Sequence, residues 1–176
     1  MTVAEFLEWE ERQEDRWEFD GFEPVAMTGG TSRHSTIQVN VLGELHQRLR
    51  GKPCRPHGSD LKIYAAGSIR YPDAFVVCLP VDGRATVVYE PVVVFEILSP
   101  STAFTDRGAK NEEYRDTPSI QRYIMLEQDR QAATVFTRAA DDWVGHIQSG
   151  DTVLDMPEIG ISIPLAELYE GVTFED

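Results

Sequence analysis

The sequence predicts an α/β protein in which a mixed β-sheet is flanked by α-helices. One apolar stripe has helical spacing and consists of Ile37, Val41, Leu45 and Leu49. Two near-continuous apolar runs, residues 71–79 and 91–98, are typical of central strands that are covered on both faces. Because helical and strand-like segments follow each other along the chain, we expect a mixed layered architecture.

The helices are predicted from capping residues and from spacing. Thr2 and Glu5 have the spacing of a capping box, so the first helix is expected to run from there to about Gln13. Ser32 can cap the helix that carries the apolar stripe. A helix over "FTDRGAKNEEYRD", ended by Pro118, places three side chains on one face: Asp106, Lys110 and Tyr114.

The remaining segments are predicted to be strands. "RWEFDGFEPV" indicates a hairpin with a type I′ turn at Asp20-Gly21, in which Glu18 points away from the face shared by its neighbours. A strand is expected at about 59–66, before the two apolar runs. The segments "QRYIMLE", "AATVFTR", "WVGHIQ" and "ISIP" are expected to continue the sheet in antiparallel fashion, and a short helix should follow at about 164–170.

Composition limits the classes of protein. The length of 176 residues suits a single domain spanning 1–176. No stretch approaches the roughly 18 apolar residues of a membrane span, and the acidic start is unlike a signal peptide. Cys54 and Cys78 show neither the spacing of a zinc site nor that of a disulfide framework. A soluble, reducing, cytoplasmic setting is therefore expected.

Charge is distributed unevenly. The formal net charge is −14, yet residues 33–70 carry +5, between acidic segments of −7 over residues 1–23 and −9 over residues 139–176. Such asymmetry permits local contact with a polyanion, although a solvated mixed-charge surface explains it equally well.

Two acids stand out among apolar residues. Glu96 interrupts the run "VVVFEIL", where an ionised carboxylate is costly unless a cation meets it. Asp73 follows Pro72 at the start of the preceding strand. If the two strands are neighbours, both carboxylates can meet at one place and form a hard-oxygen site suited to Mg²⁺ or Mn²⁺. By itself, however, this spacing is common.

The combination of motifs is more specific. "YPDAFVVC", "PVVVFEILSPST" and "DRGAKNEEYRDTPSIQRYIMLE", preceded by "RWEFDGFEPVAM" and "RHSTIQVNVLGEL", resemble the Uma-type restriction endonuclease family of the PD-(D/E)XK nuclease superfamily. The resemblance covers roughly residues 1–170. It implies a restriction-endonuclease-like fold and a metal-dependent endonuclease that cuts DNA, with a homodimer expected by analogy.

The resemblance also implies roles for individual residues. Asp73 and Glu96 correspond to the two motif acids and are expected to bind Mg²⁺ or Mn²⁺. The Ile97 carbonyl is expected to complete the metal shell, and Glu18 corresponds to a further acid that would join it. The superfamily pattern places lysine two residues after the second acid, but this chain has Leu98 there. Three lysines exist elsewhere, and Lys110 is favoured over Lys62, with Lys52 last.

Other interpretations stay open. The departure at Leu98 and the acidic ends are compatible with a catalytically silent interaction module that keeps the fold. A nuclease acting on RNA or on branched DNA is a third interpretation. Among the single residues, Glu18 can be an exposed hairpin acid, His34 an ordinary polar residue of a helix N-terminus, and Tyr114 a packing residue whose hydroxyl reaches the surface.

Overall fold

The computed structural model describes residues 1–99 and 102–174. Its five helices, within these ranges, are α1 (Val3–Glu10), α2 (Ser32–Leu49), α3 (Ala103–Arg107), α4 (Ala109–Arg115) and α5 (Leu165–Leu168). The strands of the first half are β1 (Trp17–Phe19), β2 (Pro24–Ala26), β3 (Arg55–Gly58), β4 (Lys62–Ala65), β5 (Ser68–Arg70), β6 (Ala74–Val77), β7 (Val87–Val88) and β8 (Pro91–Ile97). Those of the second half are β9 (Arg122–Leu126), β10 (Ala132–Ala139), β11 (Asp142–Ser149), β12 (Val153–Met156) and β13 (Ile161–Pro164).

The strands form two larger sheets and one small hairpin. The six-stranded sheet has the order β11-β10-β9-β8-β6-β3, and the five-stranded sheet has the order β2-β1-β5-β4-β7. Strands β12 and β13 pair only with each other among the described strands. In the six-stranded sheet, β8 runs antiparallel to β6 and parallel to β9. The sheet is therefore mixed, as the sequence predicts.

The six-stranded sheet is covered on both faces. One face packs against the apolar stripe of α2 and against α5. The other face packs against α4 and the five-stranded sheet. Along β8 the side chains alternate: Val93, Phe95 and Ile97 face α2, while Val94 and Leu98 lie on the α4 side. Glu96 therefore points toward α4, out of the same central strand.

Several local predictions are confirmed with small shifts. The Thr2–Glu5 capping box is present, although α1 ends at Glu10 rather than near Gln13. The N-cap of α2 is Thr31 rather than the predicted Ser32, which is the first residue of the helix. The first hairpin is present, but the prediction of a type I′ turn at Asp20-Gly21 is wrong. Phe19 pairs with Pro24, leaving a four-residue loop in which the Asp20 carboxylate accepts the Phe22 and Glu23 amides at 2.8 Å each.

Other local predictions need correction. The helix expected over 104–116 is divided at Gly108 into α3 and α4, yet Asp106, Lys110 and Tyr114 still point the same way. Strand β9 runs parallel to β8 rather than continuing the sheet in antiparallel fashion, because the α3–α4 crossover returns the chain to the same end of the sheet. Strands β3, β5 and β7 were not expected, since each is short and lacks an apolar alternation.

The cysteines also depart from expectation. Cys54 and Cys78 form a disulfide, although their spacing in the sequence indicated no disulfide framework and a reducing setting was expected; on this point the sequence prediction is wrong. The bridge follows from topology. Strand β3 lies antiparallel to β6 with Arg55 opposite Val77, so Cys54, just before β3, lies across from Cys78, just after β6. Such bridges are found mostly in oxidising compartments, so the disulfide does not support the reducing, cytoplasmic setting expected from the sequence. That setting stays a prediction. Of the described helices, none has the length and apolar character needed to cross a membrane.

Candidate active site

Strand pairing brings Asp73 and Glu96 together. Ala74 pairs with Phe95 in the antiparallel β6–β8 ladder, so Asp73 lies one residue further along, opposite Glu96. The Asp73 Oδ2 atom accepts the Ile97 amide at 2.7 Å, which ties the carboxylate to the end of β8. The convergence expected from the sequence therefore occurs, and Ile97 adjoins both acids.

The cation that meets Glu96 is Lys110. Its Nζ lies 3.0 Å from Glu96 Oε1, and the Tyr114 hydroxyl donates to the same oxygen at 3.0 Å. Glu96 is only 4% exposed. Burial raises the pKa of Glu96 well above its usual value; Lys110 opposes this shift, whereas Asp106, Asp73 and Glu18 add to it.

Lys110 is shared among several acids. Its Nζ also lies 3.1 Å from Asp106 Oδ1 and 3.4 Å from Glu18 Oε1. Burial lowers the pKa of Lys110, but Glu96, Glu18 and Asp106 outweigh that effect and raise it above its usual value. The ammonium is therefore a fixed positive charge among three carboxylates, and the acids around it exceed what one cation can balance.

Glu18 is held by a second buried cation. Arg70 Nη1 lies 3.1 Å from Glu18 Oε2, and the Tyr71 amide donates to Glu18 Oε1 at 3.0 Å. Burial alone would raise the pKa of Glu18, but Lys110, Arg70 and this amide hold it below its usual value. Arg70, 1% exposed, also forms a two-pronged ion pair with Glu113 of α4, at 2.8 and 2.6 Å. Arg70 thereby joins the N-terminal hairpin to the helix that carries Lys110.

The N-terminal turns of α2 hold Asp73 from the other side. His34 Nε2 lies 3.1 Å from Asp73 Oδ1, and the hydrogen bond with this carboxylate raises the pKa of His34 against the opposing effect of burial. One turn later, Gln38 donates to the Asp73 backbone carbonyl at 2.9 Å. Two residues of one helical face thus fix the position of Asp73.

The acids lie along a cleft with a volume of about 830 Å³. Residues from the hairpin, α2, β8, α3 and α4 line it, among them Glu18, His34, Asp73, Glu96, Ile97 and Lys110. Within residues 1–99 and 102–174, no three His, Cys, Asp or Glu side chains are grouped so that they could hold a metal ion. Asp73 and Glu96 therefore form a two-carboxylate site, whose further ligands would have to come from backbone, water or substrate.

The three lysines, all within the described residues, have different surroundings. Lys110 alone of the three contacts Glu96. Lys62 is buried against Glu10 and the Tyr71 hydroxyl. Lys52 reaches the Gly160 carbonyl at 2.7 Å. The preference for Lys110 stays a prediction about catalysis, but its position next to the second motif acid agrees with it.

Sequence reasoning missed part of the site. Arg70 and Glu113 gave no local signal, because an arginine ending one strand and a glutamate on a charged helix are usually solvent-exposed. The Tyr114 hydroxyl was expected at the surface and is instead buried on Glu96. The one available signal was the i, i+4 spacing from Asp106 through Lys110 to Tyr114, which predicts that all three face the same strand.

The basic segment 33–70 does not form one positive surface. Lys62 and Arg70 are buried in ion pairs. Arg48 pairs with Glu44 and Glu167 and donates to the Ser162 carbonyl. Several of the basic residues that give this segment its positive charge are therefore paired with acids within the protein.

Comparison with known proteins agrees with this architecture. Residues 3–166 match the family model Uma2, described as "Putative restriction endonuclease". The uncharacterised protein slr1290 of Synechocystis sp. is 34% identical over 179 residues, covering 99% of this chain and 94% of that protein. A second uncharacterised Synechocystis protein, sll1609, is 28% identical over 133 residues, covering 73% of this chain and 75% of that one.

A solved structure shares the fold. The crystal structure of a "putative nuclease belonging to DUF820" from Anabaena variabilis superposes with a TM-score of 0.81 at 17% identity, over 98% of this chain and 99% of that one. The fold is thus the mixed α/β architecture expected from the sequence. The chain belongs to the Uma2 family, so the family and the fold predicted from the motifs are confirmed. The family description supports a nuclease.

Proposed function

We propose that this protein is a metal-dependent endonuclease that hydrolyses DNA phosphodiester bonds at the cleft containing Asp73, Glu96 and Lys110. The observation that carries the proposal is the contact between Lys110 Nζ and Glu96 Oε1. Leu98 occupies the motif position of the lysine and packs in the apolar cluster on the same face of the sheet. Lys110 brings an ammonium group to that face from α4, so the acid–acid–lysine combination exists in space although it is broken in sequence.

The donor set fits Mg²⁺ or Mn²⁺. Asp73 and Glu96 offer hard carboxylate oxygens, and the Ile97 carbonyl is the proposed third protein ligand. Magnesium commonly uses only one or two protein carboxylates and keeps water or phosphate for its other positions. Among the described residues, Oδ1 of buried Asp106 meets only the Lys110 ammonium, at 3.1 Å, and Oδ2 has no hydrogen-bond partner. This agrees with a group of acids that carries more negative charge than its cations offset. When bound, the ion would lower the pKa of a water and stabilise charge on a phosphodiester.

The chain's own groups would position and stabilise the reactants. Lys110, held by Glu96, Asp106 and Glu18, presents a fixed ammonium beside the second motif acid, where it can orient water and stabilise developing negative charge. Glu18 was expected to be a metal ligand. Its contacts with Arg70, Tyr71 and Lys110 support a positioning role instead, and we propose that it holds Lys110 in place.

Metal binding can be tested by thermal unfolding. Millimolar Mn²⁺ should raise the melting temperature, because an ion that binds only the folded state stabilises it by about 2.7 kcal/mol at a hundredfold excess over its Kd. Asp73→Asn should abolish this rise and also the cleavage of plasmid DNA. Asp155→Asn, which removes an exposed acid bonded to Ser162, is the matched control and should retain both. A parent protein that neither Mn²⁺ nor EDTA affects would refute the metal site.

The silent interaction module remains the second candidate. In its favour, Lys110 already neutralises part of the acidic cluster, so the cluster can exist as a structural ion network without metal. This candidate predicts that the purified protein cleaves neither DNA nor RNA in Mg²⁺ or Mn²⁺. Resemblance alone supports a homodimer, which light scattering after size-exclusion chromatography would test.

A further inference from the structure

Two phenylalanines next to the cleft are almost fully exposed. Phe22 is 85% exposed at the tip of the β1–β2 hairpin, and Phe104 is 92% exposed on α3. Exposed apolar residues scattered singly need no explanation. These two, however, lie on two different elements that both contribute residues to the same cleft, so their exposure is informative.

The local positions of the two rings connect them to the cleft. Asp20 and Val25, which flank Phe22 in the hairpin, both line the cleft. Thr102, the N-cap of α3, and Thr105 line the same cleft, whereas Ala103 lines a neighbouring cavity of about 750 Å³. Phe104 thus lies between Ala103 and Thr105 along the chain, adjacent to residues that line each of the two cavities.

Both rings are carried by anchored backbone. The Asp20 carboxylate fixes the hairpin loop by accepting the Phe22 and Glu23 amides. On α3, the Asp106 carbonyl accepts the buried Tyr123 hydroxyl at 3.0 Å, and Arg107 pairs with Glu127. Aromatic side chains on a fixed backbone can bind a flat ligand with little loss of conformational entropy.

The charges of the cleft do not favour binding through phosphates alone. Of the described arginines and lysines that line it, Arg16 pairs with Asp60, Arg70 with Glu18 and Glu113, and Lys110 with Glu18, Glu96 and Asp106. Non-specific duplex binding depends on cations that neutralise phosphates. Because Arg70 and Lys110 are buried in these ion pairs and Arg16 is shared with Asp60, the cleft offers few free cations for phosphates. A further source of affinity for a nucleic acid is therefore favoured.

We propose that Phe22 and Phe104 stack on unpaired nucleobases, so that the substrate of this site is a nucleic acid with single-stranded or frayed segments beside the bond that is cut. The inference rests on the proposed nuclease function and specifies its substrate class. A base inside a duplex presents only its edges, whereas an unpaired base presents its face to an aromatic ring. Stacking of this kind tolerates any sequence, since every base has such a face.

The experiment measures binding of fluorescently labelled oligothymidylate by polarisation, in Ca²⁺ and again in EDTA. The comparison probes are a duplex containing the same strand and an abasic oligomer of equal length, which keeps the phosphates and lacks the bases. Oligothymidylate should bind more tightly than both. Phe104→Ala and Phe22→Ala should each weaken its binding about tenfold, while leaving binding of the abasic oligomer unchanged.

Tyr89→Ala is the matched control. Tyr89 follows β7, is 59% exposed and packs at a tilt against Tyr64, with ring centroids 5.6 Å apart. It lines neither cavity, so its removal should leave all affinities unchanged. Equal binding of oligothymidylate and abasic oligomer, unaltered affinity in both phenylalanine variants, or no binding of any probe would overturn the inference.

Cleavage assays separate this inference from the proposed function. If the parent cuts duplex and single-stranded DNA equally and binding does not depend on bases, the nuclease stands and the stacking inference fails. If binding depends on bases and on both phenylalanines but no nucleic acid is cut in Mg²⁺ or Mn²⁺, the stacking surface stands and the proposed hydrolysis fails.

Discussion

The two buried lysines of this protein have similar partners and different surroundings. Lys62 and Lys110 are 6% and 5% exposed, and each meets a glutamate that also accepts a hydrogen bond from a tyrosine hydroxyl. Among the described residues, Glu10 is the only acid within ion-pair distance of Lys62. Around Lys110 there are three such acids, and the ammonium borders the cleft.

The acids around each lysine distinguish a structural ion pair from a candidate site. One lysine and one glutamate balance each other, and their contact joins α1 to the five-stranded sheet. Around Lys110 the acids outnumber the cations even when Arg70, which pairs with Glu18 and Glu113, is counted. An unbalanced buried charge is tolerated mainly where function requires it. Burial of an ion pair therefore says little about function, whereas excess charge beside a cleft says more.

Removing the glutamate from each pair should give the largest contrast in stability. Glu10→Gln takes the balancing charge from buried Lys62 and should cost about 3–5 kcal/mol. Glu96→Gln should change stability without metal by less than about 1 kcal/mol, because Lys110 keeps Glu18 and Asp106 and a costly buried carboxylate is neutralised. Urea unfolding in EDTA measures both.

The same Glu96→Gln variant should lose nuclease activity by orders of magnitude. A Glu96→Gln protein that unfolds as easily as Glu10→Gln, yet cleaves DNA normally when folded, would show that Glu96 has only a structural role.

Removing the lysines should sharpen the contrast in activity. Lys110→Ala should lower kcat about 10²–10³-fold, the usual effect of losing one fixed electrostatic donor, while Mn²⁺ still raises its melting temperature. Lys62→Ala should be destabilised yet keep near-parental activity per folded molecule. The measurement is plasmid nicking normalised to folded protein; similar losses in both variants would contradict a catalytic role for Lys110.

The tyrosines should give the smallest effects. Tyr71→Phe removes a hydroxyl that lies 2.6 Å from Glu10 Oε1 and 3.2 Å from Lys62 Nζ, and should cost about 1.5–3 kcal/mol. Tyr114→Phe removes one bond to Glu96 and keeps the ring packed edge-on against Tyr123, so about 1 kcal/mol is expected. Denaturant midpoints measure the difference. A larger loss of stability in Tyr114→Phe than in Tyr71→Phe would contradict this prediction and show that the Tyr114 hydroxyl stabilises Glu96 more than expected.

Local sequence patterns alone predicted the buried face of α2, the importance of Glu96 and the family of this protein. The stripe from Ile37 to Leu49 predicted the face that α2 buries, because helical periodicity alone decides which side chains share a face. The acid within "VVVFEIL" identified Glu96 as a residue that needs a partner, since the cost of burying a carboxylate does not depend on the fold. The family followed from the order of such motifs along nearly the whole chain.

Contacts between groups far apart in the chain depend on the folded arrangement. Lys110 reaches Glu96 because the crossover returns α4 over β8, and Arg70 meets Glu113 across 43 residues of chain. The bridge between Cys54 and Cys78 depends likewise on β3 lying beside β6. Spacing in sequence records which residues share a face, but contacts between distant segments are set by how strands pair and helices pack, so the partner of each buried charge could be established only from the folded chain.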